Sequence, residues 1–418
     1  MGALELKTGS VGKPWFVLYL YMRNFLVLGL FLLSGPIFGQ SRYFNEIFTA
    51  VDSTTNVVYG QNLSWNNQNT TLALDVYQPQ GDTLGVRPLM VFVHGGSFTG
   101  GVRNDPFMRE LCISFARRGF VTATVSYRLG VDLNNLTTLN QEFMKATLRS
   151  MQDVKAALRF FRKSVAENGN PYRIDTSRIL LGGYSAGAIS SIHSLLLTDT
   201  TLASPVLRQL INQLGGLEGN SGNPGYSSSA KALFSLAGAV LDTALVTGGA
   251  VPSLHIHGTA DQTVPYGRGF ASANGFPVIE VFGSSLLHAR LQNTGAISTL
   301  STLQQVGHDL VTNPNTREAV KFSLALFAYS FMIDALAVNE QKLSGIRLYP
   351  NPTRDEFTLE GAPEGSTLEL YTLQGKLVHT QTIGSYEQLN SRLWPAGLYV
   401  VRITHQTRST TQRLVIRQ

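Results

Sequence analysis

The chain has 418 residues, of which 14% are charged, with a formal net charge of +6 and one cysteine. This length predicts two or three domains. The positive charge is scattered and forms no long basic block, which argues against nucleic-acid binding, and a lone Cys112 excludes an internal disulfide.

Residues 25–33 form a short apolar run that follows Arg23 and precedes small residues up to Gly39. A positive residue, an apolar core and small residues before a polar one are typical of a secretory signal peptide. We therefore expect residues 1–39 to be a signal peptide that is cleaved after Gly39, with Met22 as an alternative true start. A membrane anchor is the alternative interpretation, but the apolar run is shorter than the ~20 residues that a membrane span needs.

Between residues 45 and 338, short apolar strands alternate with amphipathic helices. The predicted strands cover residues 88–93, 119–125, 178–181, 233–237 and 253–257, and the predicted helices cover residues 107–118 and 143–165. Strands that are apolar throughout are typical of parallel sheets buried on both faces. The alternation therefore predicts an α/β domain, with a mostly parallel central sheet covered by helices on both faces.

The first of these strands is followed directly by His94, Gly95, Gly96 and Ser97. An enzyme that transfers an acyl group must stabilise negative charge on the attacked carbonyl oxygen, and backbone N–H groups do so when no side chain blocks their approach. We assign a candidate oxyanion hole to the amides of Gly95 and Gly96 with Ala186, and Ser97 is an alternative donor. His94 is expected to hold the shape of the loop by hydrogen bonding. Taken alone, the glycine pair is equally compatible with a turn that has no chemical role.

The next motif is GYSAG at residues 183–187, placed between an apolar strand and a helix-forming stretch. A G-x-S-x-G motif in this context forms a sharp turn that lifts the central serine clear of the sheet, and its glycines prevent collisions across the bend. A serine hydroxyl is a weak nucleophile and requires a base. Ser185 is therefore the candidate nucleophile. The loop and this turn together resemble the lipase and esterase branch of the α/β-hydrolase fold.

In that family an acid and then a histidine follow the nucleophile along the chain. The stretch HGTADQTVPY at residues 257–266 comes after a predicted strand and resembles the acid turn of many such esterases. Its Asp261 lies at the carboxyl edge of the sheet, where catalytic groups collect in open α/β sheets. We therefore take Asp261 as the candidate acid. Asp242, after the preceding strand, is the alternative, and we expect it to be a turn or cap residue.

The chain has eight histidines, and His308 is the candidate base because it follows a strand-like stretch and a glycine in a loop ahead of the last predicted helix. Such a loop leaves the imidazole free to reach Ser185, and Asp309 beside it is expected to bond locally. We expect His193 to be a packed core residue and His288 to pack or lie at the surface of a helix. The remaining histidines are His94 in the glycine loop, His379 and His405 near the C-terminus, and His255 and His257 on one strand face. The spacing of the last pair occurs in metal sites, but no third ligand lies nearby in sequence, so no metal is expected.

Residues 199–230 are rich in glycine, asparagine and serine. Stretches of this composition between periodic segments are typical of loops. We predict that this segment is an insertion over the active site that shapes the pocket for the acyl group.

After residue 345 the helical period disappears, and alternating strands separated by Gly and Pro turns follow. This pattern predicts a small β-sandwich at residues 347–418, joined by a linker at 339–346 to a catalytic domain at 40–338. The YPNP opening, the strands LYTLQGK and PAGLYVVRI and the basic ending resemble the C-terminal sorting domain of the type IX secretion system of Bacteroidetes. The resemblance implies export by way of the periplasm, followed by removal or anchoring of the tail. An ordinary accessory binding module is the alternative.

The motifs of the catalytic domain together resemble secreted carboxylesterases of the feruloyl-esterase and acetyl-xylan-esterase type. The resemblance implies a triad of Ser185, Asp261 and His308 that works through an acyl-enzyme and needs no cofactor. We expect short acyl, feruloyl or acetyl esters of plant polysaccharide as substrates. The alternatives are a lipase or a hydrolase of polyesters such as PET or cutin, although polyester hydrolases generally lack an HGG loop. A non-catalytic binding protein at the cell surface is a remote alternative.

Overall fold

The computed structural model describes residues 42–134, 136–332, 343, 345–372, 377–406 and 408–417. The predicted signal peptide at residues 1–39, and most of the predicted linker, lie outside these described residues. In the part of the chain that is described, no helix is both long enough and apolar enough to cross a membrane.

The first part of the described chain forms a large central sheet and a small accessory sheet. The strands are β1 (Val51–Leu63), β2 (Asn69–Pro79), β3 (Arg87–Val93), β4 (Val121–Val125), β5 (Ile174–Tyr184), β6 (Ala232–Leu236), β7 (Ala239–Val240), β8 (Ser253–Gly258), β9 (Arg268–Ala273), β10 (Phe276–Gly283) and β11 (Ser298–Leu303). The central sheet has the order β1-β2-β4-β3-β5-β6-β8-β11. β2 pairs antiparallel with β1 and β4, and all pairs from β4 to β11 are parallel. The prediction of a mostly parallel central sheet is confirmed.

Helices cover both faces of this sheet. They are α1 (Pro106–Arg117), α2 (Leu139–Glu167), α3 (Ala186–Leu196), α4 (Pro205–Gln213), α5 (Ser284–Asn293) and α6 (Pro314–Ser330). Short 3₁₀ turns occur at Leu136–Thr138 and Thr243–Leu245. The start of α1 shows why helices form where they do: the Asp105 carboxylate accepts from the backbone N–H groups of Phe107 and Met108, and proline occupies the first turn.

Alternate residues of β3 supply two separate cores. Val91 and the other odd-numbered apolar positions pack with α2 and α3, whereas Phe92 packs with α1 and α6. A strand buried on both faces has no polar side, and every side chain of β3 is buried. This explains its continuous apolar sequence.

The accessory sheet has the order β7-β10-β9, and its strands β9 and β10 lie in the chain between Asp261 and helix α5. β9 and β10 form a hairpin whose two-residue turn is Asn274-Gly275, with φ of 51° and 83°. Two successive positive φ angles are the hallmark of a type I′ turn, which Asn-Gly favours. We refer to residues 268–283 as the hairpin.

The described residues from 345 onward form β-strands joined by loops and a short 3₁₀ turn at Ser391–Leu393. The strands are β12 (Arg347–Tyr349), β13 (Glu356–Glu360), β14 (Ser366–Thr372), β15 (Leu377–Ile383), β16 (Tyr386–Asn390), β17 (Gly397–His405) and β18 (Arg408–Ile416). They form two antiparallel sheets, β12-β13-β16 and β15-β14-β17-β18, around a core of their own that includes Phe357 and Ile403. The predicted all-β tail is confirmed.

The tail also contacts the catalytic domain through apolar side chains. Val400 and Val415 belong to the same buried cluster as Phe327 of α6, and the guanidinium of Arg413 lies 5.3 Å from the centre of the Phe331 ring. The two regions therefore share part of one core, although the exact domain boundaries remain predictions.

Candidate active site

Ser185 lies in the turn between β5 and α3, at the carboxyl edge of the sheet. Its φ of 56° and ψ of −122° are rare for a residue with a side chain. Neighbouring glycines make the turn fit, because a Cβ at Gly183 would lie 2.4 Å from the carbonyl oxygen of Val93, and one at Gly187 only 2.1 Å from it. The Ser185 N–H donates to the carbonyl oxygen of Leu236 at 2.9 Å. The strained turn is thus anchored to the neighbouring strand β6.

The His308 ring bridges the serine and the aspartate. Its Nε2 lies 2.9 Å from Oγ of Ser185, and its Nδ1 lies 2.7 Å from Oδ2 of Asp261. Tyr184 holds the loop that carries this histidine, because its hydroxyl donates to the His308 carbonyl oxygen at 2.8 Å. The two rings also stack, with centroids 5.3 Å apart and an interplanar angle of 22°. The structure therefore brings the three predicted side chains into one continuous hydrogen-bonded path.

Asp261 is buried in the turn after β8 and uses both carboxylate oxygens. Oδ1 accepts from the N–H groups of Thr263 and Val264, each at 2.8 Å, while Oδ2 receives His308 and also lies 3.2 Å from Nε2 of His257. Burial by itself would raise the pKa of this carboxyl, but the hydrogen bonds from His257 and His308 outweigh burial and hold the pKa well below its usual range. An ionised Asp261 keeps the Nδ1–H of His308 directed towards itself, so the Nε2 lone pair faces Ser185.

The glycine loop after β3 packs directly against the serine turn. A Cβ at Gly95 would lie 3.2 Å from Cβ of Ser185, and Gly96 has a φ of +120°, where a Cβ would lie 2.2 Å from the carbonyl oxygen of Gly100. Glycine has no Cβ, so it permits the close approach at Gly95 and the positive φ at Gly96. The third predicted donor, Ala186, is the first residue of α3, where backbone N–H groups lack partners within the helix. Of the predicted oxyanion-hole residues, Gly95 thus packs against Ser185 and Ala186 follows it directly in the chain.

His94 stabilises this loop. Its Nδ1 lies 2.7 Å from the carbonyl oxygen of Gly95, and its ring stacks on Tyr127 with centroids 4.5 Å apart. The Tyr127 hydroxyl donates back to the His94 carbonyl oxygen at 3.1 Å. Burial lowers the pKa of His94, which favours the neutral ring. A neutral His94 that donates from Nδ1 to the loop carbonyl fits the expected role of shaping the loop.

Asp242, the alternative acid, and Asp309 both bond within their own turns. Asp242 accepts from the N–H of Ala244 at 2.8 Å and caps the short 3₁₀ turn that follows it. Asp309 accepts from the N–H groups of Val311 and Thr312 at 2.8 and 2.9 Å. Each behaves as a local turn residue, as expected from the sequence.

Two further histidines lie in the core of the catalytic domain. His193 is fully buried, with Nδ1 2.7 Å from the carbonyl oxygen of Ile189, and its Nε2 accepts from the N–H of Leu241 at 3.2 Å. Burial lowers the pKa of His193 to about 4. His288 is partly buried on α5, with Nδ1 2.9 Å from Oγ of Ser298. Across the described residues, no group of three or more His, Cys, Asp or Glu side chains is arranged to hold a metal ion.

A small apolar pocket, called here the Ser185 pocket, lies beside the Ser185 hydroxyl and has a free volume of about 30 Å³. Such a volume holds about two or three water-sized groups. Phe143 of α2 and Ile189 of α3 form part of its wall, and the hairpin supplies Ala271, Val278 and Val281. The pocket therefore admits a short apolar group next to the serine.

The prediction that residues 199–230 cover this site is wrong. Helix α4 packs its apolar face, including Leu207, against α2, and Glu218 forms ion pairs with Lys155 and Arg159 of α2 at 2.8 and 2.6 Å. This part of the segment borders a different cavity of about 520 Å³, whereas the residues found around the Ser185 pocket include none from the segment. Packing and ion pairing with α2 hold the insertion away from the serine.

The hairpin, Tyr184 and His257 belong to the site, but none of them was predicted from the sequence to have a role there. The hairpin carries a detectable signal, because Asn274-Gly275 stands between two stretches with alternating apolar residues. Tyr184 carries no comparable local signal, since its partner His308 lies in a distant loop. His257 stands four residues before Asp261 in the HGTADQTVPY stretch, so its spacing to the acid was visible in the sequence.

Comparison with known proteins identifies both regions. Residues 74–214 match the family model described as BD-FAE, and residues 347–417 match the model of the secretion system C-terminal sorting domain. The fumonisin B1 esterase of Sphingopyxis macrogoltabida is 31% identical over 150 residues, which are 35% of this chain and 26% of that protein. The phenmedipham hydrolase of Pseudarthrobacter oxydans is 34% identical over 143 residues, which are 34% of this chain and 25% of that protein. The chain thus spans about a quarter of the length of these relatives.

A similar solved structure is esterase 2 of Thermogutta terrifontis phosphorylated by paraoxon, with 20% identity and a TM-score of 0.47 over 69% of this chain and 95% of that chain. The BD-FAE match runs from β2 to the end of α4, so it includes the glycine loop and Ser185 but ends before Asp261 and His308. The tail match covers β12 to β18. The chain therefore combines a segment similar to the BD-FAE family with a C-terminal segment similar to the secretion system C-terminal sorting domain, which indicates a secreted or cell-surface protein.

Proposed function

We propose that this protein is a secreted serine carboxylic-ester hydrolase with Ser185, His308 and Asp261 as its catalytic triad. The observation that carries the proposal is the continuous path from Oγ of Ser185 through the His308 ring to the Asp261 carboxylate, next to the Ser185 pocket. General-base activation of a hydroxyl requires this geometry, with the base itself oriented by a third group.

The reaction proceeds in two halves. Nε2 of His308 takes the Ser185 proton as Oγ attacks the carbonyl carbon, and backbone amides donate to the oxygen that becomes negative. The proposed donors are the amides of Gly95, Gly96 and Ala186. Collapse of the intermediate passes the proton from His308 to the leaving alcohol and leaves an acyl group on Ser185. Water then attacks the acyl carbon and gives a proton to His308, which returns it to Oγ as the carboxylic acid leaves.

The size of the Ser185 pocket favours a short acyl group. A free volume of about 30 Å³ holds about two or three atoms beyond the carbonyl carbon, which corresponds to acetyl through butyryl. We propose that a feruloyl ring or a long fatty chain is accommodated less well, because the hairpin side chains Val278 and Val281 line this pocket. Secreted esterases encounter short acyl groups as decorations of plant polysaccharides, so we propose acetylated polysaccharide as the natural substrate class.

A panel of p-nitrophenyl esters from acetate to octanoate, together with methyl ferulate and a polyester film, tests this proposal. We expect the highest kcat/KM for acetate to butyrate, and a loss of kcat of about 10³-fold or more in Ser185→Ala, because the triad acts as a unit. Ser194→Ala is the matched control, since Ser194 is a buried serine on α3, the helix that follows Ser185, and its hydroxyl donates to the carbonyl oxygen of Ser190. Ser185→Ala with near wild-type turnover would refute the triad, and a preference for octanoate, ferulate or the film would refute the short-acyl assignment.

We further propose that the tail directs export through the periplasm by the type IX route. The match of residues 347–417 to the sorting domain supports this proposal. In a Bacteroidetes host, a periplasmic reporter protein fused to residues 339–418 should reach the cell surface or medium, while the same reporter without them should stay in the periplasm, and the tail has a core of its own that lets it fold in this fusion. Equal export of both reporters would show that the tail has another role.

A further inference from the structure

His257 is a fully buried histidine that the proposed reaction does not use. It lies on β8, four residues before Asp261, and its Nε2 is 2.9 Å from the carbonyl oxygen of Val264 and 3.2 Å from Oδ2 of Asp261. Its Nδ1 is 2.8 Å from Oγ of Ser284, at the start of α5. Both ring nitrogens therefore have partners, and one of those partners is the candidate catalytic acid.

The chemistry of these partners decides which nitrogen of the His257 ring carries a proton. A carbonyl oxygen and an ionised carboxylate only accept hydrogen bonds, so Nε2 must carry a proton. Its N–H is shared between Val264 and Asp261, while the N–H of Val264 donates to the other Asp261 oxygen at 2.8 Å. His257 thus closes a ring of contacts that holds the Asp261 carboxylate and its turn, and it contacts the same oxygen as His308.

We propose that His257 is a positioning residue for Asp261, a role that rests on the proposed triad. Oδ2 of Asp261 serves two imidazole donors, His308 at 2.7 Å and His257 at 3.2 Å. The second donor keeps the carboxylate aligned with His308. It also takes part of the negative charge of Oδ2, because each hydrogen bond to a carboxylate stabilises that charge.

Two polar side chains described near His257 are not carboxylates. Tyr266 meets the His257 ring edge-on at 5.6 Å, and His255 lies two residues earlier on the same strand. On the His308 side, the ring of Tyr184 stacks on the imidazole, and Asp309 is the adjacent residue in the loop. Loss of the His257 N–H therefore changes the charge that His308 faces mainly through Asp261.

The expected effect of losing this N–H has a defined sign. With one donor fewer, Oδ2 interacts more strongly with the His308 Nδ1–H, so His308 holds a second proton more tightly. The acid limb of the kcat/KM profile then moves to higher pH, because less of the Asp261 charge that His308 faces is neutralised. The less well aligned carboxylate should also lower kcat by about tenfold, with little change in KM.

Three substitutions of His257 separate positioning from packing. His257→Leu removes both polar contacts, and His257→Asn keeps a polar group near Ser284 but is too short to reach Asp261. His257→Gln keeps an N–H at the reach of Nε2. We expect the first two to show the lower kcat and the shifted acid limb, and the third to stay within about threefold of wild type with an unmoved limb.

His255→Gln is the matched control, because His255 is equally buried on the same strand but lies 3.0 Å from Oγ of Ser253 instead of touching Asp261. Each profile is measured on short p-nitrophenyl esters, with folding checked by thermal melts.

If His257→Leu does not fold, His257→Asn decides. A folded His257→Asn with unchanged kcat or an acid limb that stays or moves to lower pH, a His257→Gln that loses activity equally, or a His255→Gln with the same shift would overturn the proposal. Wild-type protein without esterase activity, or Ser185→Ala that retains it, would instead overturn the proposed function.

Discussion

Two aspartates of this molecule occupy turns that look alike but face different surroundings. Oδ1 of Asp242 accepts from the N–H of Ala244 at 2.8 Å, and Oδ1 of Asp261 accepts from the N–H of Val264 at the same distance. The difference lies in the second oxygen, because Oδ2 of Asp261 is buried against His308 while Asp242 is half-buried and caps its own turn. Both turns therefore favour an aspartate for local reasons. Only contacts with residues from elsewhere in the chain distinguish Asp261, the candidate catalytic acid, from Asp242, the cap residue.

The largest expected effect breaks this comparison at the aspartates themselves. Asp261→Asn should lower kcat on p-nitrophenyl acetate by about 10⁴-fold, because an amide in place of the carboxylate favours the wrong tautomer of the histidine. Asp242→Asn keeps an oxygen that accepts from the turn, so its kcat should stay within about twofold of wild type. Steady-state kinetics of the two purified variants measure the contrast. The reverse order of losses would transfer the role of acid to Asp242.

The segments that follow the two turns supply the second contrast. Val281 of the hairpin lines the Ser185 pocket, whereas Val246, directly after the Asp242 turn, is equally buried but lies outside it. Val281→Ala enlarges the pocket and should raise the ratio of kcat/KM for hexanoate over acetate by about tenfold, since one methylene in an apolar pocket is worth about 1–3 kcal/mol. Val246→Ala should leave the ratio unchanged. Equal ratios in both variants would show that the hairpin does not set acyl length.

A smaller effect is expected at Tyr184, which contacts the loop that carries His308. Tyr184→Phe removes the hydroxyl that holds the His308 carbonyl but keeps the stacked ring. Loss of one neutral hydrogen bond of about 1 kcal/mol should lower kcat about fivefold with KM unchanged. Tyr226→Phe is the control, because the Tyr226 hydroxyl bonds to Glu167 at the surface. A Tyr184→Phe enzyme with wild-type kcat would show that the loop holds His308 without this contact.

The sequence predicts the fold class and the three candidate side chains because their signals are local. The glycine loop, the serine turn and the HGTADQTVPY stretch each specify a backbone shape within about ten residues, and the structure has strands ending where these motifs begin. Continuous apolar strands likewise predict a sheet buried on both faces, which is confirmed. The roles of Ser185, Asp261 and His308 remain predictions until they are measured.

The wall of the pocket could not be predicted from the sequence in the same way. Residues 199–230 have the composition of a loop, but composition does not say which surface a loop covers. Ion pairs of Glu218 with Lys155 and Arg159, which are more than 50 residues away in sequence, decide its place. The same holds for Tyr184, whose hydroxyl contacts the carbonyl oxygen of His308, 124 positions away in the chain. Contacts of this range follow from the tertiary fold and leave no periodic signal.

Covalent trapping of the nucleophile tests the central claim most directly. An organophosphate ester should inactivate the enzyme and add one phosphoryl group per chain, located on Ser185 by peptide mass spectrometry. The pKa of Asp261 lies well below its usual range, so Asp261 stays ionised and continues to orient His308 in mild acid. Ser185→Ala should take up no label. Labelling of another residue with loss of activity, or full hydrolysis with no adduct on Ser185, would contradict the account.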